Sequence, residues 1–177
     1  FSSQSRAGVT YDKFRKNLVY YNRDSMYVYD FINKESSQHE YDSTCPVDLY
    51  LGSGFVNPYD SLLYVYEPYV EDGLSSQPTV ASYDPEKNDW SVVGSDTISV
   101  RFHHHSSYVD ENRRKFVIFG GFGSMIYNGN FFSCDLRDYQ WQRDTLPEGD
   151  RICPRYFTSL GYSSEEDALY VFGGMGN

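Results

Sequence analysis

Residues 101–143 read RFHHHSSYVDENRRKFVIFGGFGSMIYNGNFFSCDLRDYQWQR, and this stretch decides the fold. A first strand is expected over about 102–109, ended by the polar turn DENRR at 110–114. The apolar run Phe116-Val117-Ile118-Phe119 is the second strand. Gly120-Gly121 ends it, because paired glycines take backbone angles closed to β-branched residues. A third strand covers about 130–135, and a fourth, carrying Trp141, follows the tight connection LRDY. Four short strands without helical spacing make one antiparallel sheet. A sheet this small cannot bury both of its faces alone, so copies are expected beside it.

The rest of the chain supplies them. A first copy, 6–41, has strands expected at 7–11, 18–21, 26–30 and 38–41, with Tyr41 where other copies place Trp. A second, 48–93, has strands at 49–55, 62–66, 79–84 and 89–93, and an exposed Gly/Ser/Pro-containing loop at 67–78. The fourth copy begins at Arg155 with a strand over 155–162, an acidic turn, and the run 168–172 ended by Gly173-Gly174; it lacks two outer strands. The second strands superpose at spacings of 45, 53 and 53 residues. A repeat of about 40–50 residues built from four strands is the signature of a β-propeller, whereas a β-sandwich does not demand repetition. The expected organisation is an all-β chain, a single propeller segment over 1–177, with about 3.5 blades at 6–41, 48–93, 101–143 and 155–177.

Composition agrees, with eighteen Tyr and twelve Phe for strands and fourteen Gly for turns. The formal charge of -10 repels nucleic acid and anionic membranes, so neither is expected as a partner. No apolar run approaches the roughly eighteen residues of a membrane span, and no signal peptide is present, so the residues point to no compartment. Phe1 in place of an initiator Met leads to the expectation of upstream sequence. Cys45, Cys134 and Cys153 form neither a CxxC pair nor a spaced metal set, and their odd number argues against a disulfide framework; buried or half-buried free thiols are expected.

Few residues carry chemistry that the repeat does not explain. In His103-His104-His105, strand alternation puts His103 and His105 on one face, but no third ligand stands at a persuasive spacing, so no metal is expected. Arg6, Arg101 and Arg155 recur at one place, which suits pairing with carboxylates or carbonyls of a neighbouring blade. Trp90 and Trp141 read as packing anchors, and Asp30, Asp84 and Asp135 as turn caps. Asp110-Glu111 and Glu165-Glu166-Asp167 read as a plain solvated face. Asn128-Gly129-Asn130 is the hairpin signal after the Gly pair. No GxSxG, GxxxxGK[ST] or HExxH pattern occurs, and GGFG and GGMG end strands without opening helices. The ligand-binding candidates are Arg101, His103, His104, Arg155 and Tyr156; no catalytic residue and no cofactor are assigned.

The pattern resembles the kelch repeat, as in the central propeller of galactose oxidase. It shows an Arg and a small polar residue in the first strand (Arg101, His105-Ser106), Gly120-Gly121 and Gly173-Gly174 closing second strands, and Tyr83-Asp84 followed by Trp90. Cys134-Asp135 and Trp141 keep the last spacing with Cys134 in the aromatic place; Asn22-Arg23 and Glu67-Pro68 replace the Gly pair in the first two copies. The resemblance implies a ring of about six or seven blades, with the first strand of each lining a channel. The remaining blades are expected before Phe1, after Asn177 or on another chain. It implies a protein- or glycan-binding module whose loops present Tyr, Arg and His. The alternatives are a sugar-active enzyme domain of epimerase or oxidase type, for which no residue-by-residue match to a copper site is found, and a scaffold within a larger protein.

Overall fold

The structure is a computed structural model that describes residues 6–49, 53–68, 77–98, 103–123, 125–145 and 148–176. The described residues form strands and turns and contain no helix, so none is long and apolar enough to cross a membrane. The chain divides into two compact units, 1–95 and 96–177.

The first unit holds two four-stranded antiparallel sheets. One runs β1 (Ala7–Asp12), β2 (Asn17–Asn22), β3 (Ser25–Asp30), β4 (Glu35–Glu40); the other runs β5 (Gly54–Val56), β6 (Leu63–Tyr66), β7 (Val80–Asp84), β8 (Asp89–Gly94), each in sequence order. Alternation selects the packed side. On β2, Val19 and Tyr21 are buried while Leu18 and Tyr20 are exposed. Val19, Tyr21 and Met26 pack with Leu63, Val65, Ala81, Tyr83 and Trp90, and with Cys45, Val47 and Leu49 of the connection. The opposite face of the first sheet leaves Val9, Tyr11, Tyr20, Tyr27 and Tyr29 exposed.

The second unit contains β9 (Ser106–Asp110), β10 (Lys115–Phe119), β13 (Phe131–Asp135) and β14 (Trp141–Arg143) in one sheet. Two hairpins complete it: β11 (Phe122–Gly123) with β12 (Ile126–Tyr127), and β15 (Arg155–Ser163) with β16 (Ala168–Gly176). Its core joins Val117, Phe119 and Phe131 to Tyr108, Ile152, Leu160, Leu169 and Val171.

One turn chemistry recurs through both units. Asp12, Asp30, Asn57, Asp84, Asp110, Asp135 and Ser163 each accept a backbone N–H two or three residues on through a side-chain oxygen. Four residues after each stands a positive-φ residue: Lys16, Lys34, Ser61, Asn88, Arg114, Tyr139 and Asp167. That left-handed residue matches the turn to the right-handed twist of the strands. The caps expected at Asp30, Asp84 and Asp135 are thus present, and four more belong to the same series.

Several local expectations are corrected. Tyr41 does not take the Trp place: Trp90 pairs with Tyr83 and Trp141 with Cys134, whereas Tyr29 pairs with Ser36. Tyr41 lies beyond β4, with ring centroids 4.9 Å from Tyr83 and 5.2 Å from Trp90, filling the core between the two sheets. Gly173-Gly174 does not end β16. Both residues have positive φ, and Thr158↔Gly173 is followed by Tyr156↔Met175, leaving Phe157 and Gly174 out of register, so the glycines bend a strand that continues to Gly176. Asn128-Gly129-Asn130 is not a hairpin tip either. The hairpin is β11–β12, and buried Asn128 instead accepts from Asn130 N and Nδ2 at 3.0 and 2.7 Å. Residues 50–52 and most of the 67–78 loop lie outside the described residues.

Candidate functional site

In the second unit, antiparallel topology brings the approach to β9, the β11–β12 hairpin and the start of β15 to one end of the sheet. Backbone bonds lock them together. His103 exchanges N–H···O bonds with Phe122, both at 2.9 Å. Gly121 donates to Arg155 O at 2.8 Å, Arg155 donates to Asn128 O at 3.1 Å, and Phe157 donates to His104 O at 3.1 Å. Gly120, at φ +76°, is what lets Arg155 come so close, since a Cβ there would collide with the Arg155 carbonyl oxygen.

Upon this frame sits an aromatic cluster. His104 lies 4.3 Å from the Phe157 ring and 6.2 Å from Tyr156. Tyr156 stacks on Tyr127 at 5.6 Å and 20°, and both rings contact Phe122, at 5.6 and 5.4 Å. The Tyr156 hydroxyl donates to Met175 Sδ at 3.6 Å. Around these rings, Met125, Ile126, Phe157 and Met175 project into solvent, with exposures of 88%, 67%, 58% and 58%. The arrangement offers fixed apolar anchors with an imidazole beside them.

Of the sequence candidates, His103, His104 and Tyr156 therefore come together and Arg155 supports them, while Arg101 lies outside the described residues. The Arg155 guanidinium is spent on backbone carbonyls of its own hairpin and approach, Gly173 O and Cys153 O, each at 3.0 Å. Arg6 does make the expected pairing, with Asp48 at the approach to the next sheet. The shared face inferred for His103 and His105 fails in its premise. His104 has φ +58°, β9 begins only at Ser106, and strand alternation does not run through the three histidines. Phe122, Tyr127, Phe157 and Met175 were not legible as site residues, although the apolar pair Met125-Ile126 at a loop tip was a usable signal.

The other end of the same unit carries a polar network where a plain solvated face was expected. Asp110 is buried, accepting from Arg113 N at 3.0 Å, Arg113 Nη1 at 2.8 Å and the Tyr162 hydroxyl at 3.2 Å. Arg113 also bonds both oxygens of Asp167 at 2.7 Å. Hydrogen bonding to Asp167 and then Asp110 holds the guanidinium above its usual range, and Arg113 holds the Asp167 carboxyl well below its own. Burial, then the nearby Asp110 charge, pushes the Tyr108 phenol up to about 12. Between these turns opens a cleft of about 910 Å³, with Val117, Phe131, Ile152, Leu169 and Val171 in its apolar lining and Asp144, Glu148 and Asp150 among its carboxylates. Among the described residues no three His, Cys, Asp or Glu side chains gather as a metal-ion site.

Compared with known proteins, the chain matches no family model and no curated protein.

Proposed function

We propose that this chain is part of a kelch-like propeller acting as a non-catalytic binding module, and that it recognises a partner protein through the aromatic patch around His104, Tyr156 and Phe157. The observation that carries this reading is the exposure of Met125, Ile126, Phe157 and Met175 together on a hydrogen-bonded frame. Clustered exposed apolar side chains mark protein interaction sites, and a rigid aromatic anchor loses little entropy on binding. Flexible Met side chains beside it adapt to a partner's surface. The propeller part of the reading is supported by repeated four-stranded sheets and by the uncovered aromatic face of the first sheet, which a further sheet would bury.

The test compares the chain with its Ile126→Asp and Phe157→Ser variants against a displayed peptide library and a glycan array. Peptides with apolar anchors are expected to be enriched by the parent chain and lost by both variants, each confirmed folded by circular dichroism. Selected peptides that bind the variants equally well would refute the site. Retention of glycans alone, sensitive to both substitutions, would move the ligand from protein to carbohydrate.

A further inference from the structure

Outside the seven capped turns, three non-glycine residues among those described take a positive φ: His104 at +58°, Met125 at +63° and Phe157 at +55°. All three stand exposed in the aromatic patch. Left-handed backbone is unfavourable for side chains of this size, and such outliers gather where a surface is held ready for a ligand. Their concentration marks the patch as a surface held in shape rather than one left over from packing.

Charge is segregated around it. The patch residues fall in the stretches 97–109, 112–134, 151–164 and 168–176, and none of these contains Asp or Glu, in a chain that has 25 of them. The acids of the second unit lie elsewhere. They occupy the turns at 110–111, 135–138 and 165–167, stand at Asp96 against the Trp141 N–H, and line the cleft at Asp144, Glu148 and Asp150. The patch offers donors instead. His104 is exposed, with its ring against Tyr156 and Phe157, and its ring nitrogens bond no group among the described residues. The Tyr127 hydroxyl is likewise unbonded among the described residues. Arg155 adds a positive charge, held in place by its bonds to Gly173 O and Cys153 O. Complementary charge steers an acidic group away from the carboxylate-bearing turns and toward this end.

We infer that the patch takes an acidic peptide segment of its partner protein. An aromatic or aliphatic side chain of that segment packs on Tyr156 and Phe157, and a neighbouring Asp or Glu carboxylate accepts hydrogen bonds from the His104 imidazole and the Tyr127 hydroxyl. The inference rests on the reading of the patch as a protein-binding site and specifies the chemistry of the partner. Apolar contact supplies affinity, while the charge-assisted bonds fix register and reject segments that lack the carboxylate.

The probe is a random-peptide display library panned on the full chain, with the enriched peptides synthesised and titrated by fluorescence anisotropy. They are expected to carry Asp or Glu beside an aromatic or aliphatic anchor. Replacing those acids by Asn or Gln is expected to weaken binding about tenfold, and added salt is expected to weaken the acidic forms alone. In the chain, His104→Asn removes the imidazole donor yet suits the left-handed backbone, and is expected to weaken the acidic peptides about tenfold. His104→Asp adds a carboxylate and is expected to abolish their binding while sparing the Asn and Gln forms. Phe157→Ser removes an anchor common to both forms and is expected to abolish both. Peptides sensitive to Phe157→Ser but indifferent to their own acids and to His104→Asp would leave the protein-binding patch standing and overturn its acidic partner. No enrichment, peptides insensitive to Phe157→Ser, or capture of acidic glycans alone would overturn both.

Discussion

Arg113 and Asp167, fifty-four residues apart, meet as two parallel N–H···O bonds of 2.7 Å each, joining the β9–β10 turn to the β15–β16 turn. The same device recurs in the first unit, where Arg15 bonds Asp12 of its own turn at 2.9 Å and Ser61 O of the next at 2.7 Å. Ser61 and Asp167 are both the left-handed residues of their turns. An Arg three residues after the capping Asp therefore ties each such turn to its neighbour, and the fork of the guanidinium suits it to two acceptors at once.

Asp110 is the node of the second clamp. Asp110→Ala removes the cap of the turn, the internal partner of Arg113 and an acceptor for Tyr162, and is expected to lower stability by about 2 kcal/mol. Urea denaturation read by Trp141 fluorescence in a Trp90→Phe background isolates the second unit, because the chain has two tryptophans. An unchanged midpoint would mean that the network is incidental.

The clamp also fixes a pH response. Arg113, then Tyr162, lowers the Asp167 carboxyl in the folded chain. A carboxyl so lowered favours folding above its unfolded pKa of about 3.9, and the contribution fades as pH falls from there through the folded value. Carbon-13 carboxyl titration should find Asp167 still ionised where an unperturbed Asp is half protonated, and Arg113→Met should raise its midpoint. A midpoint indifferent to Arg113→Met would remove Arg113 as the cause.

Thiol reactivity separates the three cysteines. Burial pushes the Cys45 thiol up to about 11 and the Cys134 thiol to about 12, whereas Cys153 is exposed. The expectation of uniformly buried or half-buried thiols thus fails at Cys153. Iodoacetamide at neutral pH is expected to modify Cys153 rapidly and the other two only on unfolding, since the thiolate is the reactive form. Peptide mass mapping reads the order, and early labelling of Cys134 would show that β13 opens in the native chain.

Sheet structure was legible because periodicity and turn chemistry are local. The alternation in Asn17–Asn22, the four-residue separation of Asp110 from Arg114 and the Gly pair at 120–121 all act within a few residues. The site was only half legible. His104 and Tyr156 stood out as residues that the repeat did not require, but their contact depends on β15 docking beside β9, and Phe157 enters the patch through a register break that no period announces. Asp110 and Asp167 misled for the same reason. Each is an ordinary turn residue in sequence, and only the packing of two turns makes them partners of one arginine.

The glycines give the sharpest contrast between space and conformation. At Gly120 a side chain meets two obstacles: φ is +76°, and the Arg155 carbonyl oxygen occupies the volume of a Cβ. Left-handed backbone costs an L-residue about 1–2 kcal/mol, and overpacking adds a similar amount, so Gly120→Ala is expected to destabilise the second unit by about 3 kcal/mol. It should also break the Gly121–Arg155 hydrogen bond and loosen the frame under Tyr156. Gly161 on β15 has no neighbour within 4 Å of a Cβ and no positive φ, so Gly161→Ala restricts mainly the unfolded chain and is expected to stabilise by about 0.5 kcal/mol. Both variants are read by Trp141 fluorescence in urea, and exchange of the Gly121 amide reports the frame directly. If Gly120→Ala matched Gly161→Ala in stability and left that amide protected, close approach of Arg155 to the Gly pair would not be what holds the patch together.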